Sequence, residues 1–99
     1  MKYTAHYATE RQLREAVIKR IGLGKVAGQF VVDRGHENGK EVHILTTTAI
    51  ILVFNARTKK LVTKLIARPN QVKRYYPNGD YPQEIVDLAY EHVKAGLNK

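Results

Sequence analysis

Two histidines, His36 and His43, precede an arginine–threonine pair, Arg57-Thr58. Together these side chains could support cleavage of a phosphodiester without a metal ion. Such chemistry needs a base for the 2′-hydroxyl, an acid for the departing 5′-oxygen, and cations for the charge gathering on phosphorus. Imidazole suits both proton transfers because its pKa lies near neutrality. A guanidinium grips two phosphate oxygens at once, and a hydroxyl can donate to a third. His43 stands between Val42 and Ile44. On a strand it therefore projects away from them, toward an open face if they face the core. His36 falls in a turn-rich loop that could overhang that face, while His92 lies beside the apolar stripe of a later helix, where packing is its expected role.

The cations needed to hold the phosphate are concentrated in one part of the chain. From Val42 to Gly79 there is no Asp or Glu, yet there are seven cations: Arg57, Lys59, Lys60, Lys64, Arg68, Lys73 and Arg74. Such a stretch needs counterions, a polyanion, or acids brought in from elsewhere. Arg57 sits at an expected hairpin tip and Arg68 at a strand end. Lys60, Lys64, Arg68, Lys73 and Arg74 are the candidate backbone contacts. Tyr75-Tyr76, directly after Lys73-Arg74, are candidates for stacking on a base. Lys59 reads as a turn solubiliser and Thr63 as an ordinary strand residue.

The whole chain has 99 residues and a net charge of +8, enough for a single domain with one core, spanning 1–99. It contains no cysteine, which fits a reducing cytoplasm and leaves no disulfide framework. The longest apolar run, Ala49 to Phe54, is too short to cross a bilayer. The absence of serine sets aside a Ser/His/Asp hydrolase. Glycines 22, 24 and 28 miss the dinucleotide spacing and precede a strand, and Lys40 stands where a zinc-protease motif beginning at His36-Glu37 needs its second histidine. No cofactor or metal is implied.

Local patterns give the elements that must position these residues. Thr9-Glu10-Arg11-Gln12 has the form of a capping box, and Leu13, Ala16, Val17 and Ile21 recur at helical spacing up to Gly22. Strands are expected at Val26–Asp33, Glu41–Thr46, Ala49–Asn55 and Leu61–Ala67, joined by an Asn38-Gly39 turn, a Thr47-Thr48 turn and an Ala56–Lys59 hairpin. Pro69 reads as a strand breaker, with Gln71–Tyr76 resuming as an edge. Pro82 opens a second helix whose buried side is Ile85, Val86, Leu88, Ala89 and Val93, ending at Gly96. The expected fold is α+β: an N-terminal helix, a three- to four-stranded antiparallel sheet and a C-terminal helix. Both helices are expected on one face, leaving a basic groove on the other.

The helix, the histidine-bearing loop, and the strand–turn–strand Ile50-Ile51-Leu52-Val53-Phe54-Asn55-Ala56-Arg57-Thr58-Lys59-Lys60-Leu61-Val62-Thr63-Lys64-Leu65-Ile66 resemble a group of toxins. These are the compact ribonucleases comprising RelE-type interferases, colicin D-like tRNases and contact-dependent toxin tips. The resemblance covers the order of elements over residues 9–76. It implies metal-independent RNA cleavage with His43 or His36, Arg57, Thr58 and Thr63 at the phosphate. The helix after Pro82 is additional to that pattern.

Three functions compete on the residues alone. One is a toxin-type endoribonuclease, and another is a nucleic-acid-binding module without catalysis. The third is a basic module that docks an acidic protein such as an antitoxin or immunity protein. In a variant of the third, Asp80, Glu84, Asp87 and Glu91 cover the basic surface from within. Membrane association is not expected, and the residues leave the oligomeric state open.

Overall fold

A computed structural model describes residues 2–35 and 39–97, with side chains in the first stretch from Gln12 onward. Helix α1 (Lys2–Ile21) is followed by strands β1 (Val26–Asp33), β2 (Lys40–Thr46), β3 (Ile50–Asn55) and β4 (Leu61–Ile66), then helices α2 (Pro69–Arg74) and α3 (Gln83–Lys94). The strands form one antiparallel meander in the order β1-β2-β3-β4. This is the expected α+β class. His36 lies outside the described residues, as does Asn38 of the expected Asn38-Gly39 turn. The Arg34 N–H donates to the Gly39 carbonyl at 2.8 Å across that loop.

The connections follow from local chemistry. Thr46 Oγ1 accepts the Ile50 N–H at 3.2 Å, so the Thr47-Thr48 turn is held by the side chain that precedes it. Asn55 Oδ1 accepts the N–H groups of Arg57 at 2.9 Å and Thr58 at 2.8 Å, closing the β3–β4 hairpin. Helix α1 ends at Gly22, whose φ of 84° is open to glycine without a steric penalty. Its N-terminus differs from the expectation. The helix already runs from Lys2, and Thr9 is internal. A capping box caps only where the preceding chain leaves the helix, and no glycine or proline interrupts residues 2–8.

Gln71–Tyr76 is not an edge strand. Pro69 occupies the first turn of α2, where its missing N–H costs nothing. The Gln71 side chain reaches back to accept the Arg68 N–H at 2.9 Å. Pro69 and Val72 are buried, a spacing of three that suits a helix.

The helices are also not confined to one face. On one side Leu45, Ile51 and Val53 pack with Val72 of α2 and Ile85, Val86 and Ala89 of α3. On the other, Ile50 and Ile66 pack with Ile18 of α1, supported by Val17, Ile21 and Leu52. The cause lies in β3, which is apolar from Ile50 through Phe54. A strand apolar at every position must be covered on both faces. In α3, His92 takes the buried place expected for Val93, which is exposed. His92 Nε2 lies 3.0 Å from the Thr48 carbonyl oxygen, so the imidazole pins α3 to the β2–β3 turn.

Candidate active site

Strand alternation places Glu41, His43 and Leu45 on the face covered by α2 and α3. His43 is only 7% exposed and faces no open groove, contrary to the expectation. Its Nε2 lies 3.0 Å from Glu41 Oε1 and its Nδ1 lies 2.6 Å from the Tyr75 hydroxyl. A carboxylate only accepts, so Nε2 carries the hydrogen toward Glu41. In the neutral ring, Nδ1 then accepts from the Tyr75 O–H. If the ring gains a proton, both nitrogens donate and the phenol hydrogen is released to point elsewhere. A carboxylate, an imidazole and a phenol thus form a continuous hydrogen-bonded chain.

Tyr75 arrives there because its segment is helical. Both tyrosines turn toward β1, so neither is left outward as strand alternation would require. Tyr75 stacks on Phe30 with ring centroids 4.7 Å apart, and Tyr76 meets the same ring edge-on at 5.2 Å. Burial pushes the Tyr75 phenol above its ordinary value of 10.0; Arg74 opposes this and Glu41 adds to it. Tyr76 is raised by burial and then by Asp80.

The shift at Tyr75 fixes the sign of a pH effect. A phenol whose pKa is raised by folding contributes stability in full below the unfolded-chain value. That contribution is lost as pH rises through the folded value. Denaturant midpoints should therefore fall above about pH 10, and Tyr75→Phe should flatten that alkaline limb, with Tyr76 supplying the remaining slope. An unchanged limb in the variant would show that Tyr75 ionises as an exposed phenol does.

The cations divide into separate groups. Arg57, Lys59 and Lys60 are exposed on the β3–β4 hairpin, and Thr58 Oγ1 lies 3.3 Å from the Lys60 N–H, within the turn. Arg34 and Lys40 flank the β1–β2 loop at the same end of the sheet. Lys40 is paired with Asp33, Glu41 with Asn55, and the Ala56 N–H donates to the Lys40 carbonyl at 3.0 Å. Arg34 Nη1 lies 3.9 Å from Glu41 Oε1. Five cations therefore gather at the end of the sheet where Glu41 lies. Arg68 lies past the far end of β4, about 20 Å away by strand length. Lys64 is on the α1 face, paired with Glu15 at 3.1 Å. Lys73 lies over the Tyr81 ring at 5.3 Å, and Arg74 acts on Tyr75. The single basic groove expected from the sequence is not formed.

The structure thus brings His43 and Tyr75 together and sets Arg57 and Thr58 at the adjoining hairpin. It separates Lys64 and Arg68 from both. Glu41, Arg34 and Lys40 join the site without having been singled out. Glu41 was legible, because a carboxylate two residues before a strand histidine must share its face. Two of the acids of α3 are engaged within their own helix: Asp87 accepts from Gln83 at 2.9 Å and Glu91 pairs with Lys94 at 3.6 Å. Among the described residues, no three His, Asp or Glu side chains gather as a metal site would require, and no helix is long and apolar enough to cross a membrane. In comparisons with protein families, curated proteins and solved structures, no significant match to this chain was found.

Proposed function

We propose that this domain binds RNA across its paired hairpins and cleaves it without a metal ion at Glu41, His43 and Tyr75. The observation that carries this reading is the hydrogen-bonded chain Glu41–His43–Tyr75, whose Glu41 stands at the end of the sheet bearing Arg34, Lys40, Arg57, Lys59 and Lys60. Glu41, with its side chain 20% exposed, takes the proton of the 2′-hydroxyl as that oxygen bonds to phosphorus. The bond from phosphorus to the 5′-oxygen breaks. The leaving oxygen takes the Tyr75 proton, and protonated His43 replaces it through Nδ1. Arg34 and Arg74 offset the charge on the phosphorane. The product is a cyclic phosphate and a free 5′-hydroxyl. Proton exchange with water resets Glu41 and His43.

The burial of His43 and the engagement of both its nitrogens support a second reading, in which the trio only fastens α2 to the sheet. The protein then binds RNA without cutting it. One experiment separates the two. Purified protein is incubated with single-stranded RNA in chelator, and products and affinity are measured over a range of salt. Cleavage predicts cyclic-phosphate ends. Both readings predict a log–log salt slope of about −3.5 for five phosphate contacts to single-stranded RNA. Affinity indifferent to salt would remove both, and would leave an acidic protein as the partner to seek for these cations.

A further inference from the structure

Strand β1 forms one border of the sheet, yet its sequence resembles that of an interior strand. From Val26 through Val32 it carries no charge and no proline, and Asp33 is its only ionised side chain. The opposite border differs. Strand β4 contains Lys64, and α1 packs beside it. Border strands usually carry a lysine, a proline or a cover, because their unpaired N–H and C=O groups otherwise recruit another strand. The β1 bulge between Val26 and Gly28 protects only its beginning, leaving Gln29–Asp33 in regular register at the border of the sheet. Val31 there is 67% exposed.

We propose that β1 pairs antiparallel with β1 of a second copy of this chain, extending the sheet across a two-fold axis at Val31. The strand is complementary to itself in that register. Val31 meets Val31, Phe30 meets Val32, and the Asp33 carboxylate falls opposite the Gln29 amide, which can donate to it. No like charges oppose each other within Gln29–Asp33, and the cationic hairpin of β3–β4 lies at the other side of the sheet. The remaining repulsion between two copies of charge +8 is long-range and screened by salt. Salt should therefore favour this association, whereas it weakens RNA binding.

Nucleic-acid-free protein should show, in sedimentation equilibrium, a monomer–dimer equilibrium that shifts toward dimer as protein and salt increase. Val31→Lys sets two like charges on the axis at an exposed position, so the fold is retained and dimerisation weakens by about tenfold or more. Val62→Lys, 48% exposed on the other border strand, should leave it unchanged. Amide exchange should show protection along Gln29–Asp33 rising with protein concentration in the parent and not in Val31→Lys. The proposal is overturned by a parent that stays monomeric at millimolar concentration in high salt. It is equally overturned by a Val31→Lys dimer as strong as the parent's, or by Val62→Lys weakening the dimer as much as Val31→Lys.

Discussion

Glu41→Gln and Tyr75→Phe should each lower RNA cleavage by about 100- to 10,000-fold, the range for removing one acid–base partner, while leaving salt-dependent RNA binding in place. Both substitutions keep the shape of the side chain. Tyr75→Phe preserves the stack on Phe30 at 4.7 Å but takes away the hydroxyl that meets His43 Nδ1. Glu41→Gln keeps a hydrogen-bond acceptor for Nε2 and loses only the charge and basicity. If the trio merely fastens α2 to the sheet, Tyr75→Phe loses stability, by about 1–3 kcal/mol for the Nδ1 left without its partner, and neither variant has a product to lose. Cleavage at the parent rate in both variants would place the chemistry elsewhere. His43→Ala is a poorer test, because removing a side chain that is 7% exposed also opens a cavity.

Leu45→Ala should cost about 2–5 kcal/mol of folding stability, the range for deleting a fully buried leucine side chain. Leu45 is inaccessible to solvent, lies on β2 between two paired strands, and shares its cluster with Ile51, Val72, Ile85 and Val86. A domain of this size has about 5–15 kcal/mol in all, so a large part of the molecule should unfold at temperatures the parent tolerates. Val62→Ala, at an exposed position, should change stability by no more than about 0.5 kcal/mol. Denaturant titrations of the two variants measure the contrast. Equal midpoints would mean that α2 and α3 do not form one core with the sheet.

Much of the fold was readable from neighbouring residues alone. Strand β1 has the expected bounds, Asn55 and the residues after it make the hairpin, and Pro82 and Gly96 bracket α3. The segment Pro69–Tyr76 misled because a proline before a mixed apolar and cationic run fits a broken strand and a helix N-terminus equally well. Local propensity does not decide between them. The core does, by accepting Pro69 and Val72 three residues apart. The site followed the same logic. That Glu41 and His43 share a face is a property of strand geometry. That Tyr75 joins them depends on a helix crossing the sheet.

Periodicity, turn chemistry and charge are local or additive, so the residues alone specified an antiparallel α+β layout, the sequence of its elements, and an excess of positive charge in the middle of the chain. Packing of the folded chain set where that charge goes. It sent Lys64 to Glu15, Arg68 to the far end of β4, and Arg34 and Lys40 beside Arg57, Lys59 and Lys60. Positions distant in the chain become neighbours through strand pairing and two-sided packing, and neither can be read from any window of the sequence. The partly buried contact of His43 with Tyr75, 32 residues apart, exists for that reason.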